Sequence, residues 1–192
     1  MRWTFSAISR RLRALAALDS VLLVPVHEIE PALFTWSAHA EPLHDGVGAH
    51  VTTLYPFLPS RRLRARDDCA IRSVTAETDP WDFTLTTVGR FPQGVLYLAP
   101  EPTAPFVSLT ERMHQAFPSC VPYGGAFDSI VPHVTVAIGA TAGTPGNILE
   151  QRLWRLLPLQ CRAREVHLLT HAFGRWGLRV RYPLGANTGF PG

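Results

Sequence analysis

Apolar and polar positions along the chain follow two periods, and their alternation predicts strands and helices in a repeated order. Ser20 to Val26 (SVLLVPV) is a short, almost wholly apolar run bounded by polar sequence, which predicts a buried strand; a short helical piece and a loop fill the stretch to Ala49. His50 to Phe57 is β-branched and aromatic, a second strand, and the apolar positions Leu63, Ala70, Ile71 and Val74 after it recur at helical spacing. Phe83 to Phe91 and Val95 to Ala99 flank Pro92-Gln93-Gly94, a hairpin signal. Phe106, Leu109, Met113, Ala116 and Phe117 mark an amphipathic helix that Pro118 closes.

A Gly-rich connection, Pro122 to Phe127, then leads into a second round. His133 to Ile138 predicts a strand. Thr144-Pro145 supplies an N-cap with Pro at the first helical position, and Leu149, Leu153, Leu156 and Leu157 form the buried stripe of a helix that Pro158 ends. Cys161 to Thr170 and Trp176 to Tyr182 predict the last hairpin. The tripeptide His-Val-Thr occurs in both rounds, 83 positions apart, and the same offset carries Gly94 onto Gly177 and Pro100 onto Pro183. This is the pattern of an internal duplication. The expectation is an α+β fold of two pseudo-symmetric, antiparallel-rich lobes with outer helices, facing one another across a central cleft. Residues 20–192 form that single domain, and 1–19 a basic helical extension.

Composition narrows the function classes. The 192 residues are 46% hydrophobic and 17% charged, enough for one packed domain. The net charge of +3 tolerates an anionic substrate without requiring one. Every basic side chain is Arg, so Schiff-base and Walker-lysine chemistry are excluded. Cys69, Cys120 and Cys161 are far apart and match no metal or disulfide framework, which predicts a reducing, cytoplasmic location and no metal or other cofactor. No apolar run is long enough to span a bilayer. Arg2, Arg10, Arg11 and Arg13 with an apolar stripe leave a transit peptide or surface helix open for Met1 to Leu18, although an ordinary terminal helix or extension is the simpler reading. A monomer with no obligate protein partner and no membrane contact is expected.

The candidate chemistry lies in the repeated tripeptide. A histidine two residues from a hydroxyl is a cheap pattern, but both copies fall in predicted strands at equivalent places of the repeat. Strand side chains alternate, so His50 and Thr52 share one face, as do His133 and Thr135, with Val51 and Val134 on the other. Two imidazoles and two hydroxyls suit phosphodiester cleavage. One neutral histidine takes a proton from water or an attacking hydroxyl, the other protonates the leaving oxygen, and the threonines bond the non-bridging oxygens.

These residues resemble the 2H phosphoesterase superfamily, and more narrowly its bacterial 2′-5′ RNA ligase-like branch. The resemblance runs from about Ser20 to Gly185 and includes HVTTLYPFLP (His50 to Pro59), GRFPQGVLYLAPEP (Gly89 to Pro102), PYGGAF (Pro122 to Phe127) and PHVTVAIG (Pro132 to Gly139). It implies a bilobal fold and metal-independent hydrolysis of a 2′,3′-cyclic phosphate at an RNA end or on a small nucleotide, opening to a 2′-phosphate, with reversible 2′-5′ ligation in some members. Carried over by position, His50 and His133 are the acid/base pair, and Thr52 and Thr135 hold the phosphate. Pro132 precedes the second motif, whereas Gly48-Ala49 precede the first, where a proline is common.

Around this core, Tyr55, Tyr123 and Phe127 are candidates to line the groove and stack on a base. Arg179 and Arg181 alternate with apolar residues on the last predicted strand and share a face there, with Arg175 at the hairpin tip; a solvated face explains them as well as a phosphate track does. His39, His44, Glu41 and Asp45 sit on the loop entering the first motif, where solvated loop residues are the favoured reading and contact with substrate or a metal the alternative; His167 and His171 read as structural. Two other functions remain open: the same His pair serving non-phosphate acid/base chemistry in a specialised pathway, and an RNA- or nucleotide-binding module without turnover.

Overall fold

A computed structural model of the chain describes residues 20–37, 47–92, 94–127, 129–138 and 144–186. The basic segment 1–19 and the candidate loop residues His39, Glu41, His44 and Asp45 lie outside them. The described elements are β1 (Ser20–Pro25), α1 (Glu30–Ser37), β2 (His50–Leu54), α2 (Ala65–Ala76), β3 (Trp81–Arg90), β4 (Leu96–Glu101), α3 (Ala104–Ala116), β5 (Val134–Ala137), α4 (Thr144–Trp154), β6 (Leu159–Ala163), β7 (Glu165–Ala172) and β8 (Arg175–Pro183), with short 3-10 turns at His27–Ile29 and Ser60–Arg62 and a left-handed turn at Pro122–Gly125.

All eight strands form one antiparallel sheet in the order β6-β3-β4-β5-β2-β1-β7-β8. The α+β, antiparallel-rich expectation holds. The arrangement of the halves differs from two sheets facing across a gap: the motif strands β2 and β5 lie side by side at the centre of a continuous sheet. They join through a single registered pair, Val51 with Val134, so two four-stranded halves meet at a thin seam. One face of the sheet is dry. Val24, Val51, Leu54, Leu98, Val134 and Val136 from the strands pack with Ile71 of α2, Phe106, Leu109 and Met113 of α3 and Leu153 of α4. Alternation then leaves His50, Thr52, His133 and Thr135 half-buried on the opposite face.

The strand order about the seam is symmetric: β2, β1, β7 and β8 on one side answer to β5, β4, β3 and β6 on the other. One strand of each round crosses over. β3 follows the first motif but pairs beside the second, with β4; β7 follows the second motif but pairs beside the first, with β1. The constant sequence offset therefore describes the motif strands and β3/β7, while in space β4 corresponds to β1 and not to β8.

The predicted strand from Cys161 to Thr170 is in fact two. β6 pairs with β3 at one edge of the sheet, and β7 pairs with β1 and β8 near the other. The buried positions show why: Cys161 and Ala163 are odd-numbered, Val166 and Leu168 even, so the inward face changes parity at Arg164.

Candidate active site

The two motifs sit at the seam. With Val51 paired to Val134, extending the antiparallel register one residue each way sets Thr52 level with His133 and His50 level with Thr135. Each imidazole thus has the other motif's hydroxyl as its cross-strand neighbour, at a Cβ separation of roughly 5 Å for such pairs. One face then carries a square of two rings and two hydroxyls.

Both rings are held the same way. His50 Nδ1 lies 2.7 Å from the Gly48 carbonyl oxygen, and His133 Nδ1 lies 2.7 Å from the Val131 carbonyl oxygen. A carbonyl only accepts, so Nδ1 carries the hydrogen in each, and the neutral ring presents the lone pair of Nε2. The differing residues before the motifs, Gly48-Ala49 and Val131-Pro132, deliver the same contact. At the first, the Ala49 carbonyl accepts the Val26 N–H at 2.8 Å, and the Glu30 carboxylate lies so close over Gly48 that a side chain there would meet it.

The two environments are not equal. His133 stands among aromatic rings: Phe91 edge-on at 4.9 Å, Tyr97 at 5.6 Å and Tyr123 near-parallel at 6.5 Å between centroids. Burial there pushes its pKa below the usual histidine value, partly offset by the hydrogen bond to the Val131 carbonyl, so at neutral pH the ring is uncharged. Phe91 and Tyr97 stack at 4.2 Å on the β3–β4 hairpin, and Gly89, paired across it with Tyr97, leaves room for the phenol ring to lie over the backbone. Sequence reasoning missed Gly89, Phe91 and Tyr97 as neighbours of His133. The signal was available in the hairpin: a turn centred on residue 93 sets Gly89 opposite Tyr97.

Tyr123 comes from the Gly-rich connection. Its backbone is left-handed (φ 51°), as are those of Gly124 and Gly125, an arrangement that a bulky residue adopts only at a cost. That turn brings the Tyr123 N–H to the Tyr55 carbonyl at 2.6 Å and its hydroxyl to the Thr52 hydroxyl, with which it shares a hydrogen bond. Burial holds the phenol proton, raising its pKa to about 12, so Tyr123 is neutral throughout the physiological range.

The remaining candidates separate. Phe127 packs edge-on against Tyr123 at 5.5 Å and is half exposed, lining with Val107, Glu111, Val121 and Ile130 a cavity of about 410 Å³ on that side. The Tyr55 ring packs toward Trp176, edge-on at 6.4 Å, in a small apolar cluster with Val21, Leu23 and Leu169. His167 is buried, its Nε2 2.6 Å from Glu165, and His171 lies against Trp176 at 5.3 Å. A bulge opposite Leu168/Leu169 breaks the alternation of β8 at Arg179, so the expectation that Arg179 and Arg181 share a face by simple alternation does not hold; Arg179 instead donates to the Ser60 carbonyl at 3.5 Å. Among the described residues no cluster of three His, Cys, Asp or Glu could hold a metal ion, and no helix is long and apolar enough to cross a membrane.

An antiparallel α+β sheet with twofold-related imidazole–hydroxyl pairs at its seam defines a duplicated two-histidine protein. The chain belongs to the 2′-5′ RNA ligase superfamily, whose family model matches residues 19–175. Among solved structures it is similar to TT0787 of Thermus thermophilus (TM-score 0.61, 17% identity, 87% of this chain and 98% of that one). It is also similar to E. coli LigT complexed with NADP+ (TM-score 0.57, 18% identity, 86% and 96%) and with 3′-AMP (TM-score 0.54, 18% identity, 86% and 97%). No curated protein sequence matches the chain. The likeness in structure shows a shared fold.

Proposed function

We propose that this protein is a metal-independent phosphodiesterase that opens a 2′,3′-cyclic phosphate, at an RNA end or on a small nucleotide, to a 2′-phosphate. The observation that carries the reading is the matched pair of Nδ1–carbonyl hydrogen bonds, which aims two Nε2 atoms from twofold-related strands at one face. His133, kept neutral by its aromatic surroundings, takes a proton from water through Nε2 as the water oxygen bonds to phosphorus. His50, as imidazolium, gives its Nε2 proton to O3′ as the P–O3′ bond breaks. Thr52 and Thr135 donate to the non-bridging oxygens, whose negative charge grows in the transition state, and the Tyr123 hydroxyl orients that of Thr52. Tyr55, Tyr123 and Phe127 form the aromatic side of the nucleotide site. The LigT complexes with 3′-AMP, NADP+ and ATP are consistent with a nucleotide ligand on this fold. Residues 20–192 act as one cytoplasmic, monomeric domain in this reading, with 1–19 as an appendage.

The test is hydrolysis of a panel of 2′,3′-cyclic nucleoside monophosphates in EDTA. The expected result is EDTA-resistant release of the 2′-phosphate, reduced at least about 100-fold in His50→Ala and in His133→Ala. Turnover unchanged in either variant overturns the assignment.

A further inference from the structure

Two described residues other than glycine have positive φ, and both are aromatic: Tyr123 at the site and Phe173 (φ 52°) at the tip of the β7–β8 hairpin. Phe173 and Gly174 form a two-residue turn with both central φ values positive, a turn in which Asn, Asp or Gly is the unstrained choice at the first position. Yet a phenylalanine sits there with its ring wholly in solvent, 105% exposed. It buries nothing to offset either the backbone strain or the exposed ring. A strained, exposed aromatic is a feature to be explained by what it meets.

The surroundings say what that is. From Thr52 the face runs to Tyr123, whose N–H is bonded to Tyr55, then to Trp176 and His171 in successive ring contacts, and so to the hairpin tip. The exposed Arg175 follows the tip directly. A run of aromatic rings with a guanidinium at its end, continuous with a site that takes a phosphodiester, is complementary to a single-stranded polynucleotide.

We infer that the β7–β8 hairpin tip, through Phe173 and Trp176 with Arg175 beside them, is a subsite for nucleotides upstream of the cyclic phosphate, making an RNA end rather than a mononucleotide the preferred substrate. The inference rests on the phosphodiesterase reading of the site. Base stacking by one ring changes affinity by about tenfold. A pentaadenylate ending in 2′,3′-cyclic phosphate is therefore expected to exceed adenosine 2′,3′-cyclic phosphate by at least about tenfold in kcat/KM.

The discriminating variant is Phe173→Asn. Asn suits a left-handed backbone, so thermal stability holds or rises, whereas a structural role for the ring predicts a fall. Oligonucleotide kcat/KM is expected to drop about tenfold in Phe173→Asn and in Trp176→Ala, with the mononucleotide rate of Phe173→Asn unchanged. Anisotropy binding of a 3′-phosphorylated pentaadenylate gives an independent readout, expected to weaken in the same variants and with salt. Equal turnover and equal binding of long and short substrates, or indifference of both to Phe173→Asn, overturns the subsite. Oligonucleotide binding that depends on Phe173 without turnover of either cyclic substrate upholds the subsite and overturns the phosphodiesterase reading.

Discussion

Gly89→Ala tests how the protein sets the character of its second histidine. The backbone at Gly89 accepts a side chain; the space does not. A Cβ there would overlap the Tyr97 phenol ring, lying 2.6 Å from Cε2 and in conflict with Cζ as well. The ring has little freedom to retreat, because Phe91 is stacked on it at 4.2 Å and His133 stands 5.6 Å away. Overpacking of this kind costs about 1–3 kcal/mol. In a domain of this size that lowers Tm by about 3–10 °C. The larger consequence is electrostatic. Displacing Tyr97 opens His133 to water, and since burial is the main cause of its lowered pKa, its titration moves up toward about 6.5. An NMR titration of the His133 ring in wild type and Gly89→Ala, with thermal melts on the same samples, measures both effects. The acid limb of kcat/KM should shift to higher pH by the same amount. A variant that melts and titrates like wild type refutes the claim that Tyr97 over Gly89 keeps His133 dry.

Other expectations follow from the same geometry. Below about pH 6.5 the unfolded chain protonates His133 while the folded state resists, so the unfolded state binds more protons and stability falls as pH drops through that window; urea melts of His133→Phe should lose this part of the slope. Thr52→Val and Thr135→Val should each lower kcat on a cyclic phosphate by about 10- to 100-fold, and kinetics unmoved by both would favour non-phosphate chemistry for the His pair. Tyr123→Phe removes the hydroxyl that orients Thr52 and should reduce kcat by up to about tenfold with little change in stability, as read by steady-state kinetics and a melt.

The local elements and motif faces were legible because each rests on short-range pattern. Val51 and Val134 had to point inward, which placed His50, Thr52, His133 and Thr135 together on the other face. What sits beside each strand was not legible to the same degree. The sequence offset invited a picture of two self-contained lobes, but pairing is decided by long-range packing, and β3 and β7 each cross to the other half. The parity change at Arg164 was present in the sequence and separates β6 from β7; a continuous β-prone run concealed it. Tyr123 was legible as an aromatic beside glycines, yet its bond to Thr52 depends on a left-handed backbone that glycine predicts for its own positions and not for a tyrosine. The aromatic surroundings of His133 required pairing Gly89 with Tyr97, a step the turn at 92–94 permitted.

The exchanged strands also govern how the protein is made. β1 can acquire β2 early in synthesis, but its other edge waits for β7, which is translated after nearly all the rest of the domain; Leu22 must find Leu168. Contacts this distant in sequence slow folding and leave an exposed strand edge in the meantime. Neither half is a chain segment that can close upon itself. A nascent chain interrupted before β7 would carry both histidine motifs but lack the strand that seals the half holding the first, so the duplicated ancestor survives as a symmetry of the finished sheet and not as a unit that folds alone.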